Sequence, residues 1–289
     1  MKVSEAIGRT LAERGVEAFF GLVGSGNFTV VNALRGSGAA FYSARHECGA
    51  LMMADGYARS SGRIGVVSVH QGPGFTNTLT GLTETAKNRT PIVLLAADTP
   101  SGTLWSNFKI DQGALAETTG AIAERVRSPE TAAMDAARAL RRAGVERRPV
   151  VLNIPIDLIE MSCPDELPVE DALDLEPPRP SKRSVARVAD LLTSSEQPVI
   201  VAGRGAALSE GGRETLEALG ERTGALLATS AMGHGLFSGS PYSVGIAGGF
   251  ASPLAIELMS RADAVLAFGA SLNHWTARHG RLFPPEARV

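Results

Sequence analysis

Three short stretches carry side chains able to do chemistry. In "SARHECGALMMADGYA", Ser43 to Ala58, Glu47 opens a segment rich in Ala, Leu and Met. At helical spacing Glu47 aligns with Ala50, Leu51, Ala54 and Ala58, a face suited to burial. A carboxylate there needs a partner or must be neutralised. A plainer reading is a helix-start charge favoured by the macrodipole, beside Arg45 and His46. A second stretch, "HQGPGFTNTLTG", puts His70 directly after the apolar run "IGVVSV". Gly72, Pro73 and Gly74 then make a tight connection into a helical pattern carrying Asn77. Glycines permit close backbone approach to a ligand, and a helix start offers free N–H groups. The third, "GLVGSGNFTVV", reads G-x-G-x-x-T through Gly24, Gly26 and Thr29. With Glu47 about 20 residues on, it approaches a dinucleotide fingerprint and raises an NAD-binding oxidoreductase as an alternative. Against that, Thr replaces the third Gly or Ala, and the ribose-binding acid of such folds follows the second strand rather than sitting in a helix.

Strands and helices must hold these groups in place. Nearly continuous apolar runs recur at Ile64–Val69, Pro91–Ala97, Pro149–Ile154, Pro198–Gly203 and Asp263–Gly269. Such runs suit a parallel sheet covered by helices on both faces. Helical candidates lie between them: the N-terminal "MKVSEAIGRTLAERG", a face of Phe75, Leu79, Leu82 and Ala86, and Glu130–Gly144, which closes on glycine. The fold class is therefore α/β, with two open parallel-sheet domains. Residues 1–155 form the first domain. Residues 156–183, rich in proline and acids, read as a linker. A second α/β series over 184–289 is still running at "PPEARV", so this domain reads as partial, with a sheet edge near Val289. Within the Glu47 segment, Asp55 and Arg59 are spaced as a surface pair, and Gly49 and Gly56 would let a ligand or helix come close.

The 289 residues can bury a substantial core, and 28 basic against 30 acidic residues leave a net charge of −2. No Lys/Arg-rich segment points to nucleic acid, and no apolar run reaches bilayer-spanning length. Cys48 and Cys163 are far apart and lack zinc spacing, so no metal ligands are assigned and a reducing cytoplasm is expected.

Taken together, the R-H-E, D-G-Y-A-R, G-P-G-x-x-N and A-x-L-A-F-G elements, in that order, resemble thiamine-diphosphate-dependent enzymes of the acetolactate synthase and 2-oxo-acid decarboxylase superfamily. The likeness covers the N-terminal pyrimidine-binding domain and part of the central domain. It implies that Glu47 hydrogen-bonds a nitrogen of the cofactor's aminopyrimidine, favouring the tautomer that removes the thiazolium proton. Gly24, Ser25, Gly26 and Asn27 would frame the pyrimidine pocket with Gly72, Pro73, Gly74 and Asn77. Val23 departs from the proline common in that loop. His70 matches a histidine that acts as acid and base in the benzoylformate-decarboxylase branch. Phe108 and Gln112, in "FKIDQGALAE", would lie on the substrate side.

The resemblance also implies a third, C-terminal domain that carries the diphosphate and Mg2+ on Gly-Asp-Gly followed by Asn. No Gly-Asp-Gly occurs among the 289 residues. The expectation is the N-terminal part of a longer 2-oxo-acid decarboxylase or carboligase, inactive alone, with the pyrimidine half of the site. It would pair as a homodimer or homotetramer through the first domain. The alternatives are a split-enzyme subunit, whose diphosphate-binding part is a separate chain, or a non-catalytic binding module. "GRGAA" and "GIAGGF" fall where acetolactate synthases contact FAD, which stays open.

Overall fold

The computed structural model describes residues 1–164 and 178–289. The chain divides into two compact units, Met1–Asp174 and Leu175–Val289.

The first unit runs α1 (Val3–Glu13), β1 (Ala18–Gly21), α2 (Phe28–Gly36), β2 (Ala40–Ser43), α3 (Glu47–Ser61), β3 (Gly65–Val69), α4 (Pro73–Thr76), α5 (Leu79–Lys87), β4 (Ile92–Asp98), α6 (Gln112–Thr119), β5 (Ile122–Arg125), α7 (Ala132–Glu146) and β6 (Val150–Pro155). Its six strands pair in the order β2-β1-β3-β4-β6-β5, every pair parallel. Because side chains alternate along a strand, Val66, Val93 and Leu95 face one core with α1, α2 and α7. Val67, Leu94 and Ala96 face the other, with α3, α5 and α6. Burial on both faces explains why the strand sequences read as unbroken apolar runs.

α3 begins where the sequence places it. His46 Nδ1 accepts the Cys48 N–H at 3.2 Å as a cap, and the helix closes on Gly62. Glu47, Ala50, Leu51, Ala54 and Ala58 are its buried face. Asp55 is buried as well, 4% exposed, and pairs with Arg59 at 2.9 Å, so it is no surface residue. Among the described residues, and apart from the helix's own backbone and the adjoining residues, nothing lies within 4 Å of a Cβ added at Gly49 or Gly56, so neither serves a close approach inside this unit. The Phe75–Ala86 face is interrupted: α4 ends at Thr76 and α5 starts at Leu79, with Asn77 and Thr78 between. Residues 156–164 of the expected linker stay with the first unit. Ile159 and Cys163 join its core, and the Val3 and Ser4 N–H groups donate to Met161 and Ile159 carbonyls. Residues 165–177 of that linker lie outside the described residues.

The second unit runs α8 (Lys182–Thr193), β7 (Pro198–Ala202), α9 (Arg204–Ala207), α10 (Gly212–Thr223), β8 (Leu226–Thr229), β9 (Ser243–Ile246), α11 (Pro253–Met259) and β10 (Ala264–Phe268). Four parallel strands pair as β10-β7-β8-β9. Ile200 and Leu227 face one core while Val199, Val201 and Ala228 face the other. Beyond β10, Arg288 makes a single parallel bridge to Ala264, where "PPEARV" was read as the start of a strand. Among the described residues no helix is long and apolar enough to cross a membrane.

Candidate functional site

In the first sheet the strand order turns at β1, which has β2 on one side and β3 on the other. Ligands on open parallel sheets gather beyond the carboxyl ends of strands at such a reversal. The loops that leave β1 and β3 there are residues 22–27 and 70–72, two of the three stretches singled out above.

Asn27 ties the first loop down. It is 2% exposed; its Nδ2 donates to the Leu22 carbonyl at 3.1 Å and to Ser68 Oγ at 3.0 Å, and its Oδ1 accepts the Gly24 N–H at 2.7 Å. The Gly26 N–H then donates to His70 Nδ1 at 3.1 Å, joining the two loops. A Cβ on Gly26 would overlap the Gln71 amide oxygen and come within 2.7 Å of His70 Nδ1, so only glycine fits. Ser25 and Val23 are exposed on this loop.

A backbone N–H pointing at Nδ1 requires that nitrogen to be unprotonated, which leaves the neutral imidazole's proton on Nε2. Burial holds His70 below the usual histidine range, with the Glu47 charge pulling the other way. The Gly26 hydrogen bond favours the neutral form too. Phe108, itself 41% exposed, sets its ring edge to face against the imidazole, with centroids 5.1 Å apart at 72°.

Glu47 is 8% exposed, and its Oε2 accepts from Asn77 Nδ2 at 2.9 Å. The Asn77–Thr78 break makes this bond, since Asn77 caps α4 instead of continuing a helix. Gly74 lies beside them: a Cβ there would be 3.3 Å from Glu47 Oε1 and 3.1 Å from the His70 Cβ. Pro73 opens α4 and is exposed. Gly72, at φ 60°, donates its N–H to Gln112 Oε1 at 2.9 Å.

Gln112, expected on the substrate side, is held by hydrogen bonds within the chain. It is 2% exposed, and its Nε2 donates to the Ala97 carbonyl at 3.0 Å and to Asn153 Oδ1 at 2.8 Å. Both amide protons are engaged within the sheet's carboxyl edge. The residue braces the Gly72 turn and ties the start of α6 to the ends of β4 and β6. Two residues went unread in the sequence. Ser68, wholly buried, receives the Asn27 bond, and Gln71, 4% exposed, lies under Gly26 with Oε1 lacking a hydrogen-bond partner. The lone hydroxyl in "GVVSV" was the available signal for Ser68; nothing in the sequence marked Gln71.

The cluster thus joins a carboxylate oxygen held by an amide, a neutral imidazole and a floor where side chains are excluded. A flat, nitrogen-rich ring suits it, since Glu47 Oε1 makes no hydrogen bond among the described residues and can share a proton with a ring nitrogen. Among the described residues no three His, Cys, Asp or Glu side chains group as a metal site.

Residues 1–118 match the model of the thiamine pyrophosphate enzyme N-terminal TPP binding domain, and residues 185–289 match the central domain of the same enzymes. The chain belongs to the thiamine pyrophosphate enzyme family. Among its relatives, it is 32% identical over 97% of its length to a sulfoacetaldehyde acetyltransferase of Rhodobacter capsulatus, covering 48% of that protein. It is 33% identical over 96% of its length to a probable 2-ketoarginine decarboxylase of Pseudomonas aeruginosa, covering 51%. A probable acetolactate synthase large subunit of Methanocaldococcus jannaschii is 29% identical over 100% of the chain and is covered to 50%. The chain spans about half the length of the curated relatives it matches. Family membership removes the dinucleotide reading of Gly24–Thr29: Glu47 opens α3, beyond the end of β2 at Ser43, and turns to Asn77. In the central domain, the "GRGAA" glycines have a local cause. A Cβ on Gly205 would come within 2.7 Å of the Gly269 Cα at the neighbouring strand end.

Proposed function

We propose that the first unit holds the aminopyrimidine of thiamine diphosphate, within an enzyme that decarboxylates a small 2-oxo acid or ligates its carbon skeleton. The observation that carries this reading is the buried Glu47 carboxylate, positioned by Asn77 at 2.9 Å beside the side-chain-free floor of Gly26 and Gly74. When bound, the cofactor supplies an electron sink for the carbon next to the substrate carbonyl. Glu47 offers Oε1 to a ring nitrogen, while Asn77 stops the carboxylate from rotating away. His70 keeps Nδ1 on the Gly26 N–H and so presents Nε2–H as a hydrogen-bond donor; to serve as acid and base it would have to release the Gly26 N–H, because the lone pair that takes up a proton is the one on Nδ1. Phe108 shields one side of that ring from water. Gly24, Ser25 and Asn27 shape the first loop, and Gly72 and Pro73 the second.

In this reading residues 1–155 are the pyrimidine domain, 156–183 the connection and 184–289 central-domain sequence. Diphosphate and Mg2+ would be held by residues outside these 289, in the same polypeptide or on a separate subunit, with pairing of chains through the first unit. Relatives that act on sulfoacetaldehyde, 2-ketoarginine and acetolactate precursors support the reaction class without choosing a substrate.

Thiamine added to the isotope-labelled chain should shift the NMR signals of Gly26, Glu47, His70 and Asn77, and Glu47→Gln should weaken the response by about tenfold, the loss of roughly one charge-assisted hydrogen bond. Shifts elsewhere, or none at millimolar thiamine, would refute the site.

A further inference from the structure

Of the five histidines in the chain, two face each other. His274 and His279, in the second unit, bring their Nδ1 atoms to 3.4 Å with the rings at 80°. That distance is long for a hydrogen bond, for which about 2.7–3.2 Å is usual. It matches two nitrogens bound to one tetrahedral metal: with each about 2.0–2.1 Å from the ion, they lie about 3.3–3.4 Å apart.

The backbone is shaped to produce this meeting. Arg278 and His279 both take the left-handed conformation, at φ 51° and 56°, which side chains of their kind seldom adopt. Such outliers persist only when surrounding contacts over-determine them. Here the His279 N–H donates to the His274 carbonyl at 2.6 Å, and Asn273 Oδ1 accepts from the Thr276 N–H at 2.9 Å. Buried Thr276 and Leu282 anchor the segment, and the Leu282 N–H donates to Ala277. Both imidazoles remain exposed to solvent.

We propose that His274 and His279 form a two-nitrogen site for an imidazole-preferring divalent transition metal, of the Zn2+, Ni2+ or Cu2+ class. Among the described residues no third His, Cys, Asp or Glu completes a cluster. The other positions on the ion therefore go to water or to a donor molecule brought by a ligand. Open positions of this kind leave a metal able to take an anionic oxygen.

Cu2+ is the probe, titrated into the 289-residue chain. One equivalent should quench the emission of Trp275, the neighbour of His274, and electron paramagnetic resonance should show hyperfine splitting from two nitrogens. Zn2+ should compete. His274→Ala and His279→Asn should each weaken binding at least about tenfold, as loss even of outer-shell partners of metal ligands does. Asn is chosen at 279 because it accepts the left-handed backbone, so the turn survives the change. His234→Ala should change nothing. Binding that survives both substitutions, a one-nitrogen spectrum, or no stoichiometric binding would overturn the site.

Discussion

His70 carries its exchangeable proton on one nitrogen only, because the other faces the Gly26 N–H. Burial lowers its affinity for a second proton. Its NMR titration midpoint should therefore fall below 6.5, and its signal should match a proton on Nε2. The stability consequence has a fixed sign. As pH falls below about 6.5 the unfolded chain takes up this proton first, so the folded state loses stability down to the folded midpoint and no further. Denaturant midpoints measured across that window should drop in the wild type and drop less in His70→Gln. Glu47, His70 and Asn77 were legible from residue type and position: an acid on an apolar helix face, a histidine at a strand end, an amide after a glycine turn. Gln71 was not, since its burial depends on a loop 45 residues earlier in the chain crossing above it, and neither its type nor its neighbours report that. The direct Glu47–Asn77 bond was equally invisible, because it spans 30 residues.

At the scale of elements, Gln112 joins the first turn of α6 to the ends of β4 and β6 and to the Gly72 turn. Gln112→Ala would leave the Gly72 N–H and the Ala97 carbonyl without this partner inside the protein. An unsatisfied buried polar group costs about 1–3 kcal/mol, and urea denaturation should register a loss of that order for the variant. Unchanged stability would mean that these hydrogen bonds do not brace the turn. The doubly buried strands β3, β4, β6 and β7, and β10 with its buried first half, were readable as apolar runs. Four of the five four-residue strands, β1, β2, β5 and β9, were not. β2 and β5 are edge strands of the first sheet and carry exposed or polar residues, so they lack the continuous pattern that marks a central strand. The break between α4 and α5 also escaped notice, since Phe75 and Leu82 keep a helical spacing across it. Only the hydrogen bonds of Asn77 and Thr78 reveal where the helix stops.

For the molecule as a whole, the proposed division of labour predicts how it handles its cofactor. If only the pyrimidine is held by these 289 residues, calorimetry should give thiamine and thiamine diphosphate similar, weak affinities, and Mg2+ should leave both unchanged. Tight, Mg2+-dependent binding of the diphosphate form would mean that this chain holds the phosphates too. The two-sheet α/β architecture was readable because both sheets are parallel, which forces a helix between most successive strands and so punctuates the sequence. The boundary between them was less so. Proline and acidic residues suggested a connection from residue 156, yet residues 156–164 belong to the first core, where hydrogen bonds from Val3 and Ser4 hold them.

The bonds that build the site also decide when it can exist. Gly26 reaches His70 across 44 residues, Asn27 reaches Ser68 across 41, and Glu47 reaches Asn77 across 30. No local stretch can form any of them, so the pocket should not appear before β1 and β3 have paired. A collapsed intermediate would have helices and no pocket. Thiamine added during refolding should accordingly leave the early phases alone and act only on the finished state, by slowing its loss.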